Sequence, residues 1–373
     1  MPSPAQSLGR RRFLLSGAAL SGLGLITACG SSGSAASASG VTLKAEVDGN
    51  LELFNWAQYV APQVVSSFEK NYKVTVNSAY FDSDQAMVDK IAAGVAYDLV
   101  IGNSAYLPQL IQAGLLSELP HGQLKYFSSS LLPFFKSPFY DPGAKYSLPW
   151  GYGPTGFAYR TDKITKVAGS WNDLWDHPEA AGKIYLLDQI EETIGMSLLR
   201  LGYDINSGDQ SQVNKATAAI KSLEPQLAGF TTDAHDLLAN GSAWMAHCWI
   251  TDAYLALQAE KLPPPGNIAF VQPSQGTPVA VDLMTIPKAA HHPGTALLFA
   301  DWVLRPDNSA AQAQWQAQAV GTYAGNTAYN EGVKDYPTLL TSSEILTKGK
   351  WKLAVTGARR TIWNQAWTEI QAG

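Results

Sequence analysis

Residues 51–60 read Leu51-Glu52-Leu53-Phe54-Asn55-Trp56-Ala57-Gln58-Tyr59-Val60, and residues 97–104 read Tyr97-Asp98-Leu99-Val100-Ile101-Gly102-Asn103-Ser104. The first stretch alternates like a strand up to Phe54 and then breaks into a loop of Asn, Trp, Gln and Tyr. The second is a short apolar strand closed by Gly102-Asn103-Ser104. Between them Pro62 sits where a first helical turn accepts proline, and Val65, Phe68 and Tyr72 recur at helical spacing. Residues 74–80 alternate again as a strand. Asp82 or Ser83 can cap a following helix whose Met87 and Ile91 face the core before Gly94 ends it. A further helix through Leu107 and Leu110 stops at Gly114. Strand-helix-strand-helix order at this spacing predicts an α/β fold with a parallel sheet flanked by helices. Ligands of such sheets bind at the carboxyl ends of the strands, where residues 56–59 and 102–104 fall.

Outward from this unit the middle of the chain reads as a second α/β unit. Residues 152–159 form a strand crossing from the first. Ser170-Trp171-Asn172-Asp173-Leu174-Trp175 is a capped helix start, with the Ser170 hydroxyl and the Asp173 carboxylate near orphan amides. Residues 184–187 form a strand, and 188–192 open a helix in which Met196, Leu199 and Tyr203 recur at helical spacing. Residues 216–227 are expected to be helical, with Pro225 kinking or ending the helix. Residues 283–287 read as a strand and 293–304 as an amphipathic helix ending before Pro306. The chain shows no repeat of solenoid period.

At its beginning, Arg10-Arg11-Arg12 precedes Phe13-Leu14-Leu15 and an apolar run that climbs to Ile26-Thr27-Ala28-Cys29. A basic n-region, a short apolar h-region and small residues before the cleavage point describe a secretory signal rather than a spanning helix. The Arg-Arg-x-Phe-Leu order reads as a twin-arginine signal, and Ile-Thr-Ala-Cys resembles a lipobox with Cys29 as the lipidated residue. Acyl chains on Cys29 would hold the rest of the chain at the outer face of the cell membrane, each buried methylene contributing about 0.8 kcal/mol. Residues 30–40, almost wholly Gly, Ser and Ala, make a flexible tether.

The 373-residue length exceeds what one core usually supports, so two lobes are expected. The net charge is −5, and losing the three leader arginines makes the remainder more acidic still. Without basic runs such a protein is a poor nucleic-acid binder. The only cysteine after Cys29 is Cys248, which leaves no disulfide or cysteine zinc cluster to form within the exported chain. Inside Trp244-Met245-Ala246-His247-Cys248-Trp249 it reads as a small buried apolar residue. His291-His292 before Pro293 reads as a surface turn, since no third ligand stands at metal spacing. No metal or cofactor is expected.

Several words of this sequence resemble the spermidine/putrescine-binding family of ABC-transporter receptors. They are Phe54-Asn55-Trp56-Ala57-Gln58-Tyr59-Val60, Tyr97-Asp98-Leu99-Val100, Tyr146-Ser147-Leu148-Pro149-Trp150-Gly151, Ser170-Trp171-Asn172-Asp173-Leu174-Trp175, Leu201-Gly202-Tyr203 and Leu304-Arg305-Pro306-Asp307. Their order and spacing carry the resemblance over nearly all of the chain after the tether. It implies a type II periplasmic-binding-protein fold, two α/β lobes joined by crossing strands with the ligand between them. The boundaries expected on this basis are a signal at 1–28, a lipidated tether at 29–45, one lobe at 46–153 with 281–328, and the other at 154–280 with 329–373.

The resemblance implies a site residue by residue. Trp56 and Tyr59 match pocket aromatics, and Trp249 matches another whose indole lies against the ligand's methylene chain. Glu192 and Asp282 match acids that receive amino groups. Asp188 lies beside the family's other helix-start acid, Gln189 holding that position itself. Ala57, Ala105 and Ala280 replace a hydroxyl and two aromatics, Thr322-Tyr323 stands where the family has Tyr-Pro, Lys352 falls near a binding glutamine, and Asp252 replaces a small polar residue. Ser104 joins the candidates from its place at a strand end. An ammonium stripped of water must meet carboxylates or lone pairs, which Glu192, Asp282, Asp252 and Asp188 can supply, while Trp56, Tyr59 and Trp249 offer π faces worth about 0.5–2 kcal/mol each.

The expected function is therefore a monomeric, lipid-anchored receptor, not an enzyme. It passes a small organic amine to an ABC permease and its ATPase. Lys352, pointed inward, would repel a cation and could hold a ligand carboxylate, so a zwitterion such as an amino acid or opine is the alternative. A secreted glycoside hydrolase, which needs only two carboxylates, stands further off; no Gly-x-Ser-x-Gly elbow or His-Glu-x-x-His motif supports another hydrolase.

Overall fold

The computed structural model describes residues 43–259 and 266–372. The signal, the Gly/Ser/Ala tether and Cys29 lie outside the described residues. The described residues form one compact unit.

The first region grows from strand β1 (Leu51–Asn55), with β2 (Val76–Tyr80) and β3 (Leu99–Asn103) parallel on either side of it. The helices between them are the ones the spacing demands. Pro62–Tyr72 has proline in its first turn and buries Val64 and Phe68. Asp84–Ala92 is capped by the Ser83 hydroxyl, which accepts from the Ala86 amide at 3.2 Å, and buries Met87, Val88 and Ile91. The helix can lie this close to β3 because residue 102 is glycine: a Cβ there would stand 2.4 Å from the Met87 sulfur. Asp98 is fully buried yet satisfied, accepting from the amides of Glu52, His291 and His292. The His291-His292 turn is thus fastened to the start of β3.

Strand β4 (Ser147–Arg160) is the member both halves share. Its first part pairs antiparallel with β9 (Pro278–Thr285), which itself runs antiparallel to β3. Its second part pairs with β7 (Met245–Trp249) and β8 (Ile268–Val271). Strand β5 (Ile184–Leu187) lies parallel between β7 and β6 (Leu227–Thr231). The order is β2-β1-β3-β9-β4-β7-β5-β6, with two-residue strands β10 (Ala319–Val320) on β4 and β11 (Lys350–Trp351) on β9. The large buried side chains divide into two clusters, one around Phe54, Phe68, Trp150 and Phe299, the other around Phe157, Trp171, Ile194 and Trp363. Burying each such side chain contributes about 2–3 kcal/mol before its ordering entropy is subtracted.

Four sequence expectations are corrected. The crossing strand begins at Ser147, not at residue 152; Pro149 hides this, and the pairing with β9 slips between Pro149 and Tyr152. The helix expected at 216–227 spans Gln210–Leu223; Pro225 sits in a 3-10 turn, and the chain is a strand from Leu227. The strand expected at 283–287 begins at Pro278 and ends at Thr285. Val65 is only partly buried, its place on the core face being taken by Val64. The capping box at Ser170 and Asp173 is present, on a single 3-10 turn.

Candidate ligand-binding site

Two groups of polar side chains gather where strands end. The first belongs to the β1–β3–β9 region. Asp282 on β9 stands in register with Asn103, the last residue of β3. Asn103 donates its side-chain amide to Asp282 Oδ1 at 3.4 Å, and the Tyr59 hydroxyl donates to Oδ2. Tyr59 is carried by the loop after β1, and Gln312 pins that loop by accepting from the Ala61 amide at 2.9 Å and donating to the Tyr59 carbonyl at 3.0 Å. Burial, and then the Asp282 charge, push the Tyr59 hydroxyl well above its ordinary range. Burial likewise raises Asp282, against the hydrogen bond from Tyr59 and the charge of Lys352. Asp84, in the first turn of its helix, accepts from the Asn103 amide at 3.3 Å; burial and the neighbouring Asp282 push it up to about 7. Two acids held this closely without a cation of their own resist ionising together.

The second group lies at the start of the helix Ile190–Arg200, which follows β5 directly. An acid in the first turn suits the positive end of the helix dipole. Glu192 is 1% exposed. Its Oε1 accepts from Trp249 Nε1 at 3.0 Å, from Thr155 Oγ1 at 3.3 Å and from the Lys352 ammonium. Trp249 ends β7 and Thr155 is its partner across β4, so the sheet register brings both donors to one oxygen. Lys352 directly follows β11, and the pairing of Trp351 with Val279 on β9 delivers it. Burial alone would raise the Glu192 carboxyl, but the charge and hydrogen bond of Lys352, together with His247 and the Trp249 donor, outweigh it and hold the group below its ordinary value. Glu192 Oε2, also buried, has no partner among the described residues. His247 beneath it is fully buried and is pushed down to about 4 by burial, so it is neutral at pH 7.

The Lys352 charge acts on Glu192, Asp282 and Asp84 alike, which links the two groups. Beside Lys352 a cavity of about 250 Å³ is lined by Ser104, Ala105, Tyr140, Trp351 and Leu353, among others. Glu191, next in the chain to Glu192, accepts from the Tyr106 hydroxyl at 3.2 Å.

Of the residues expected from sequence, the structure brings Tyr59 to Asp282 and joins Glu192, Trp249 and Lys352, while Ser104 is buried and lines the cavity. Trp56 is half-buried, edge-on to Phe81 at 4.4 Å. Three others stand differently from the expectation. Asp188 is exposed and accepts from Gln371 at 3.2 Å, because it precedes the helix whose inward face begins at Glu192. Asp252 is buried, but its carboxylate accepts from the Trp249 amide at 3.1 Å and faces His235 at 3.7 Å, the part of a capping residue. Tyr323 is 51% exposed at the first turn of the helix Tyr323–Gly332. Sequence reasoning placed Asn103 at a ligand-facing strand end without giving it a role, and missed Asp84, Glu191 and Thr155. Asp84 and Glu191 look in sequence like ordinary first-turn acids, and only the packing of the strand ends against them shows otherwise.

The family profile described as bacterial extracellular solute-binding protein matches residues 63–341. The spermidine/putrescine-binding periplasmic protein of Escherichia coli is 28% identical over 333 residues, covering 88% of this chain and 93% of its own. The putrescine/cadaverine-binding protein of Pseudomonas aeruginosa is 27% identical over 334 residues, covering 86% and 93%. The solved structure of a putative spermidine/putrescine ABC transporter from Listeria monocytogenes superposes with a TM-score of 0.78 at 24% identity, covering 87% of this chain and 99% of that one. No helix among the described residues is long and apolar enough to cross a membrane. Two sheet regions sharing β4, with acids gathered at their strand ends, are the two-lobed periplasmic-binding-protein architecture, and the chain belongs to the bacterial extracellular solute-binding protein family.

Proposed function

We propose that this protein is the receptor of an ABC importer and that it captures a polyamine between its lobes. The observation that carries the reading is a charge imbalance. Glu192, Asp282 and Asp84 share the field of one ammonium, Lys352, which pairs with Glu192, while the hydrogen bonds to Asp84 and Asp282 come from neutral donors; Glu191, bonded by Tyr106, lies in the field of Arg359. Desolvated carboxylates without a cation of their own are stabilised by cations brought in with the ligand. The names of the relatives, which bind spermidine, putrescine or cadaverine, support the same class. In this reading Tyr59, Trp249 and Trp56 border the alkyl chain, Asp282 and Asp84 receive its ammonium charge, Glu192 offers the free Oε2 edge, and Ser104 lies on the cavity wall. Asp188, Asp252 and Tyr323 have no direct role.

The lobes are proposed to comprise 46–153 with 281–328 and 154–280 with 329–373. The protein is proposed to act as a monomer without cofactor or catalytic activity. Export by the twin-arginine leader and anchoring through Cys29 complete the proposal, keeping the receptor beside its permease. Thermal unfolding with putrescine, spermidine and a panel of amino acids tests the binding class, since a ligand that prefers the folded state raises the midpoint by mass action. A shift of several degrees with an amine and none with amino acids is expected. The reverse pattern would overturn the reading.

A further inference from the structure

The Glu192 position is built as an ammonium acceptor and already holds an ammonium. Three donors meet on Oε1, two of them neutral and fixed by the β4–β7 register, the third the charged end of Lys352. The lysine is not a stray surface side chain: its side chain is 11% exposed, and β11 anchors its backbone to β9. Tethering makes it a strong competitor for the carboxylate, since a short covalent link gives an effective concentration in the millimolar range. Across the same region, Asp282 and Asp84 have Tyr59 and Asn103 for partners and, among the described residues, no ammonium within ion-pair distance. Glu192 Oε2 is buried and without a partner among the described residues. The carboxylate therefore keeps an accepting edge while its charge is answered.

We propose that Lys352 stands in for one ligand ammonium: it occupies the amine position on Glu192, so the site takes a ligand with one positive charge fewer and prefers a diamine to a triamine. This inference rests on the polyamine reading and makes it more specific. The ammoniums of a bound diamine find their charge compensation at Asp282 and Asp84, with Glu192 Oε2 left to accept one hydrogen bond. A triamine brings a further ammonium, and the remaining acid, Glu191, already faces the charge of Arg359, so no unanswered carboxylate is left for it. Lys352 is then the specificity-determining residue of the site.

Titration calorimetry of the full chain with 1,4-diaminobutane and with spermidine tests this directly. The native protein is expected to bind the diamine at least as tightly as the triamine. Spermidine binding tenfold tighter than the diamine would overturn the proposal without any variant. Lys352→Met is expected to raise the spermidine-to-diamine affinity ratio at least tenfold, and an unchanged ratio would overturn it. Because Lys352→Met leaves Glu192 unpaired, Lys352→Met with Glu192→Gln provides a folded neutral counterpart. In that double variant the ratio is expected to return to the native value, and a ratio that stays raised would contradict the assigned partnership. If the native protein binds neither amine, the polyamine reading itself fails; if it binds amines with no effect of Lys352, only the present inference does.

Discussion

The Asp282 group and the Glu192 group use the same residue types and end in opposite electrostatic states. Both place a carboxylate at the end of a sheet, receive an aromatic donor and sit out of bulk water. At Asp282 the donors are neutral, and the acids Asp282 and Asp84 are raised, Asp84 to about 7. At Glu192 an internal ammonium joins the donors, and the acid is lowered despite complete burial. What decides the difference is a single lysine delivered by a two-residue strand. One half of the site is held complete by the fold, and the other is left needing a cation.

The comparison breaks most visibly if Glu192 is neutralised. Glu192→Gln leaves the Lys352 ammonium without its counter-charge, and loss of one partner of a buried pair costs about 3–5 kcal/mol; with Lys352 still 11% exposed, the lower end is expected. Urea unfolding would show it as a reduced midpoint, and a loss under about 1 kcal/mol would mean the pair is not buried in solution.

Asp282→Asn is the matching change on the other side, and its effect falls on binding rather than folding. Removing a desolvated charge from its ligand partner is worth about 2–5 kcal/mol, so the diamine affinity should fall on the order of 100-fold in calorimetry while the unfolding midpoint holds or rises.

Titration sharpens the contrast because the two groups have opposite signs. Asp84 is raised in the folded state, so the folded protein holds its proton more tightly. Its contribution therefore favours the fold at low pH and declines between about pH 4 and pH 7. Glu192 is lowered, so its contribution is present above its unfolded pKa and is lost as pH falls through the folded value. Asp84→Asn should accordingly flatten the decline of stability from pH 5 to pH 7, by on the order of 2 kcal/mol at the upper end, and the amine affinity of the native protein should rise as Asp84 ionises above pH 7. A native profile with no such decline would contradict the assignment.

The smallest effect is expected at Asp252. Asp252→Asn keeps an acceptor for the Trp249 amide and should cost about 1 kcal/mol or less, with diamine affinity changed under about twofold. A large affinity loss would return Asp252 to the site.

The sequence made the first region legible because Phe54, Phe68, Met87 and Leu99 follow the two periodicities without interruption. It was less legible where pairing is brief or interrupted by proline. β10 and β11 are two residues each, too short for any period, and Pro225 concealed the change from helix to β6. In the candidate site, Tyr59, Glu192, Trp249, Asp282 and Lys352 came from the resemblance, and the structure adds how they meet. Asp84 was not legible, and Asn103 was legible only as part of a strand end, because what they contact depends on β9 lying next to β3, a pairing between residues some 180 apart in sequence. The expected roles of Asp188 and Asp252 also came from the resemblance, Asp188 beside a helix-start acid and Asp252 in place of a small polar residue, and position in the sequence does not separate an acid facing inward from one that faces solvent or caps.

A crystal structure of the full chain grown with 1,4-diaminobutane tests the central claim most directly. The account predicts one ligand ammonium within hydrogen-bond distance of the Asp282 carboxylate, with the Lys352 ammonium still on Glu192. A diamine seated away from Asp282, or Lys352 swung out with a ligand ammonium in its place on Glu192, would contradict it.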